Sequence, residues 1–72
     1  MDYNLERIGN NLKKLRIKRK WKFAYISKQT EIDEDRLRRM EESLAIPNYK
    51  ELYKLSRLYD VTLDELVLNK IE

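Results

Sequence analysis

Seventy-two residues, with sixteen Lys and Arg against thirteen Asp and Glu for a net charge of +3, make one domain near the lower size limit for a core without staples. The chain has no cysteine and no histidine, which excludes disulfides, a zinc site and a histidine-based triad, and leaves acid–base chemistry to carboxylates, lysines and tyrosines. Charged residues are 40% of the chain with only one Gly and one Pro, a composition that favours an all-helical domain with short turns. The longest apolar run is far short of a membrane span and no secretory pattern opens the chain, so a soluble, cytoplasmic domain is expected.

Five helices are predicted. The first covers Leu5 to Arg19, with Leu5, Ile8, Leu12 and Leu15 on one face and Asn4 or Asp2 as its cap. Gly9 lies inside this helix, where another backbone is expected to approach closely. Lys20-Trp21 closes it. The second helix runs from Phe23 to Gln29 and the third from Glu34 to Glu42, joined by a tight turn at Thr30-Glu31-Ile32-Asp33, with Asp33 as N-cap. Apolar residues at Phe23, Ile26, Ile32, Leu37 and Met40 keep the three-to-four spacing that turns one face of each helix inward. After a loop ended by Pro47, Asn48 and Glu51 have capping-box spacing and open a fourth helix carrying Leu52, Leu55 and Leu58 inward. Asp60-Val61 breaks it. Thr62 and Glu65 form a second capping box, opening a fifth helix whose inner face is Leu63, Leu66 and Val67. The expected core spans about 5–67, with 68–72 as a short tail.

Charge is unevenly distributed. Residues 13–22 hold seven basic side chains and no acid, while residues 31–42 hold six acids against three arginines. The basic run reads either as a solvated helix face or as a phosphate-contacting patch. Two short helices joined by a tight turn are the geometry that places a helix in a DNA groove.

In order and spacing the residues resemble the Cro/repressor-type, XRE-like helix-turn-helix family of bacterial and phage regulators. The resemblance runs from about Ile8 to Val67. It rests on Ile8-Gly9, Leu12 and Leu15-Arg16, then Ile26-Ser27, Ile32, Leu37 and Glu41, then Pro47, Leu52 and Leu55, and the ending Val61 to Val67. It implies a compact five-helix, lambda-repressor-like DNA-binding domain with the motif in the second and third helices. It also implies a structural ion pair between Arg16 and Glu41. Ser27 stands at a position where the family has a small residue that lets the second and third helices approach. Glu34, Asp35, Arg36 and Arg39 would read base edges; Lys22, Phe23 through its helix-terminal backbone, Arg38, Tyr25 and Tyr49 would contact phosphate.

Four positions depart from the family pattern. Phe23 stands where a phosphate-binding glutamine is usual, and the helix N–H groups remain to take its place. Glu31, Ser43 and Lys20 stand where glycines are common; a left-handed Glu31 would cost roughly 1 kcal/mol or more relative to glycine.

Acids at the start of the third helix complement its dipole, and Glu34–Arg38 and Asp35–Arg39 are spaced as i,i+4 pairs worth ~0.2–0.5 kcal/mol each. They could equally orient Arg38 and Arg39 toward guanine, accept from cytosine N4, or serve a protein partner. Trp21 reads as a core residue rather than a stacking platform. The scattered tyrosines, Tyr3, Tyr25, Tyr49, Tyr53 and Tyr59, do not suggest single-strand binding, and Tyr53 and Tyr59 are expected to edge the core or a dimer surface.

The expectation is therefore a sequence-specific regulator of double-stranded operator DNA, a repressor acting as a homodimer through the fourth and fifth helices or the tail from Leu68. It needs no cofactor or metal, touches no membrane and catalyses no reaction. The alternative, from a different class, is a degenerate helix-turn-helix module that binds a partner protein and has little or no affinity for DNA. Phe23, Glu31 and the acidic helix start support that alternative.

Overall fold

The computed structural model describes residues 4–71, and Asp2, Tyr3 and Glu72 lie outside them. Among the described residues five helices follow one another: α1 (Leu5–Arg19), α2 (Phe23–Thr30), α3 (Glu34–Glu41), α4 (Tyr49–Tyr59) and α5 (Leu63–Val67). Among the described residues there is no strand, and no helix is long and apolar enough to cross a membrane.

Local chemistry fixes the boundaries. The Asn4 side chain accepts the Arg7 N–H at 3.0 Å and starts α1. Asp33 accepts from the Asp35 N–H at 3.1 Å and starts α3. At α4, the Asn48 side chain accepts from the Glu51 N–H at 2.8 Å while the Glu51 carboxylate accepts the Asn48 N–H at 2.9 Å. Thr62 and Glu65 make the same reciprocal pair at α5. Each box satisfies two backbone donors that a helix start otherwise leaves open.

Left-handed residues close α1 to α4. Lys20, Glu31, Ser43 and Asp60 have φ of 56°, 62°, 62° and 58°, none of them glycine. At Lys20 the turn is completed by the Trp21 N–H reaching the Arg16 carbonyl at 3.1 Å, and Val61 and Leu44 close α4 and α3 in the same six-to-one pattern. Meanwhile the chain's one glycine sits where side-chain volume is forbidden. A Cβ on Gly9 would stand 2.7 Å from the Glu41 carbonyl oxygen and 2.8 Å from that of Met40. The close approach expected at this position is thus the contact between α1 and the end of α3.

The core gathers one stripe from every helix. Ile8, Leu12 and Leu15 of α1 meet Ile26, Leu37, Met40, Leu52, Leu55, Tyr59 and Leu66, all buried. Tyr59 lies inside rather than at an edge, and Trp21 is half-buried as a cover stacked on it at 5.4 Å. Burial pushes the Tyr59 hydroxyl well above its ordinary pKa, which keeps it neutral.

Residues 68–71 do not form a loose tail. Asn11, buried on α1, donates to the carbonyls of Leu66 at 2.8 Å and Asn69 at 2.7 Å, and its side-chain oxygen accepts the Ile71 N–H at 3.0 Å. Arg7 and Lys14 add bonds to the Leu68 and Ile71 carbonyls. The segment is strapped along α1.

Candidate nucleic-acid interface

Three contacts hold α2, the turn and α3 as a unit. The Thr30 hydroxyl donates to the Ile26 carbonyl at 2.7 Å and accepts the Ile32 N–H, so one side chain both ends α2 and shapes the turn. Lys54 of α4 donates to the Thr30 carbonyl at 3.0 Å, satisfying the C-terminal end of α2 with a cation, as its dipole favours. On the other side, Arg16 of α1 grips Glu41 of α3 through Nε at 2.7 Å and Nη2 at 3.1 Å. The carboxylate side chain is 8% exposed and the guanidinium 20%. That bidentate bond holds Arg16 more firmly in its charged form.

Phe23 has its place in this same assembly. Its ring lies beneath the Arg16 guanidinium, 4.4 Å from ring centre to cation, so it packs on the α1–α3 ion pair instead of projecting toward solvent. The N-terminus of α2 carries no side-chain cap, since Lys22 occupies the cap position and makes no such bond. Ser27 is half-buried on α2.

The exposed face of α3 carries Glu34, Asp35, Arg38 and Arg39. Neither i,i+4 pair expected there forms. Arg38 instead bonds Asp35, three residues before it, and Glu42 at 2.9 Å, four residues after it. All three lie on one exposed stripe, and the guanidinium fork spans both carboxylates. Arg39 is exposed and makes no ion pair among the described residues.

Arg36 is placed differently from its sequence reading. It points to the α4 flank, where it bonds Glu51 through Nε and through Nη2 at 2.8 Å, and the Ile46 carbonyl at 3.0 Å. The pair lowers the Glu51 pKa below its ordinary value, chiefly through the Arg36 hydrogen bonds, and raises that of Arg36. A helix turns about 100° per residue, so Arg36 lies beyond the edge of the face that Asp35 and Arg39 share. Sequence reading assigned Glu51 only its capping role. Its second partner, fifteen residues away, had no local signal.

The remaining predicted residues lie on separate elements, α2 with its N-cap and α4. Lys22 is exposed at the α2 start. Tyr25 is 41% exposed and tilted against Trp21 at 4.9 Å. Tyr49, 67% exposed, stacks on Tyr53 at 6.4 Å at the start of α4. Arg19, within the basic run, is turned inward to the Tyr59 carbonyl at 2.9 Å, so it closes the fold from the α1 end.

A family model described as helix-turn-helix matches residues 12–66, from the middle of α1 into α5. No curated protein and no solved structure matches the chain.

Proposed function

The chain belongs to the XRE-type helix-turn-helix family of DNA-binding regulators, and on that premise we propose that it is a sequence-specific repressor, binding double-stranded operator DNA as a homodimer with α3 in the major groove. The observation that carries this reading is the outward face of α3. It is tied to α1 by the Arg16–Glu41 pair and offers an arginine, Arg39, with no acid attached among the described residues.

In this reading Arg39 donates to guanine O6 and N7, the commonest specific major-groove contact, and Glu34 and Asp35 accept from cytosine N4. Lys22, the uncapped α2 N–H groups at Phe23, and the hydroxyls of Tyr25 and Tyr49 take phosphate oxygens. Arg38, already shared by two carboxylates, adds a weaker phosphate contact. One copy offers one α3 to the major groove and so reads one half-site; a second copy, one turn along the duplex, supplies the rest of the selectivity.

Binding to duplex DNA measured across salt concentration tests this. The expected result is affinity that falls steeply as salt rises, and an Arg39→Ala variant weakened by about 1–3 kcal/mol with relaxed sequence preference. No binding at low salt, or no effect of Arg39→Ala, overturns it.

A further inference from the structure

Arg36 and Glu51 form a latch between α3 and α4 whose consequences reach beyond packing. One carboxylate serves two partners. Its Oε1 accepts both the Asn48 N–H at 2.9 Å and Arg36 Nη2 at 2.8 Å, while Oε2 accepts Arg36 Nε. Arg36 in turn holds the Ile46 carbonyl, so the loop leading into α4 is tied to α3 by the same guanidinium. The carboxylate side chain is 13% exposed but that of Arg36 is 37% exposed. The cation therefore stands at the rim of the α3 face, partly in solvent, and is held off that face by two acceptors, the Glu51 carboxylate and the Ile46 carbonyl.

The charge state of the α3 face follows from its pairings. Arg38 is shared by Asp35 and Glu42, and Arg36 is taken by Glu51. Of three arginines on this helix, Arg39 alone among the described residues stays outside an ion pair. A bidentate guanidinium–carboxylate bond fixes direction as well as charge, so the latch withdraws both the cation and its reach.

We propose that Glu51 is a specificity-determining positioning residue: by holding Arg36 against α4 it keeps that cation off the duplex and leaves Arg39 as the one arginine of α3 that reads bases. The proposal rests on the DNA-binding reading above. Sequence-independent attraction grows with each cation offered to phosphate, whereas discrimination depends on base-edge contacts. Withholding Arg36 lowers the first without touching the second.

Glu51→Gln separates the two duties of this side chain, because glutamine also closes a capping box while carrying no charge for Arg36. The probes are a duplex selected by the wild-type protein from a random pool and a mixed-sequence duplex. Wild-type binding to both is measured first. With Glu51→Gln, the slope of log affinity against log salt on the mixed duplex is expected to steepen by about 0.9 per protomer, and the ratio of selected to mixed affinity to fall. Arg36→Ala alone should leave slope and ratio at wild-type values, and adding it to Glu51→Gln should restore them. An unchanged slope in Glu51→Gln overturns the latch while leaving DNA binding intact. So does an Arg36→Ala loss as large as that of Arg39→Ala, which would put Arg36 on the DNA, and this arm decides the matter even if Glu51→Gln does not fold. No wild-type binding overturns both readings.

Discussion

Glu31 is exposed, closes α2 with its N–H on the Ser27 carbonyl at 2.8 Å, and does so at a φ of 62°. A Cβ in that region crowds the following carbonyl, at a cost of roughly 1–2 kcal/mol, part of which glycine's greater chain entropy offsets. Glu31→Gly is therefore expected to stabilise the fold by about 1 kcal/mol, a rise of roughly 4–8 °C in midpoint for a domain this size. Thermal unfolding followed by circular dichroism checks it, and an unchanged midpoint would mean the strain is already relieved. Ser43 is a poorer candidate for the same change, because its hydroxyl also donates to the Leu5 carbonyl at 3.2 Å. Lys20, Glu31 and Ser43 were legible only through the resemblance, as positions where the family has glycine, whereas Gly9 was marked by its own place inside a helix. What one residue bonds across space was less legible. The acids of α3 were read as partners for Arg38 and Arg39 at fixed spacing, yet the fork of Arg38 reaches both ways along one stripe and takes Asp35 and Glu42.

Between elements, two ion pairs link α3 to its neighbours: Arg16–Glu41, the more buried, to α1 and Arg36–Glu51, at the rim, to α4. The first couples Gly9, Phe23 and the pair itself, since the α1–α3 approach that brings the Glu41 carbonyl to Gly9 also brings its carboxylate to Arg16. Removing the Glu41 charge leaves Arg16 over an aromatic ring with poor solvation on one side. Because the guanidinium keeps 20% of its exposure, the loss should fall below the ~3–5 kcal/mol of a fully buried pair. Glu41→Gln is expected to destabilise by about 1.5–3 kcal/mol, the range for hydrogen bonds to charged groups. Urea unfolding should show a lower midpoint with an unchanged slope, and a shift under about 0.5 kcal/mol, as for an ordinary surface change, would remove the pair from the list of supports. The helices themselves were legible because periodicity and caps are written in consecutive residues. The Glu51 bond to Arg36 was not, since capping explained that glutamate completely at the level of spacing.

At the scale of the whole molecule, the strap formed by residues 68–71 changes which surfaces are open. A free tail could reach another copy, but here the carbonyls of Leu68, Asn69 and Ile71 are already engaged by Arg7, Asn11 and Lys14. Leu68 remains 44% exposed on that strap, so a partner copy docking there would meet its side chain and not its backbone. The radius of gyration of 10.7 Å is close to the ~11 Å expected for a compact chain of this length, which fits a strap lying on α1. Asn11 is central to it, because one amide satisfies two carbonyls and one N–H from separate residues. Nothing in the apolar spacing of α1 distinguishes this asparagine from a solvated one; its burial appears only when α5 and the strap fold over it. With alanine at that position the two carbonyls and the Ile71 amide lose their partner where they are buried or part-buried, at about 1–3 kcal/mol. Hydrogen exchange gives a local reading that separates strap from core. In Asn11→Ala the Ile71 amide should exchange near its unfolded rate, while the amides of α4 slow exchange only as far as the reduced global stability allows. Retained protection at Ile71 would show that Arg7 and Lys14 hold the strap without Asn11.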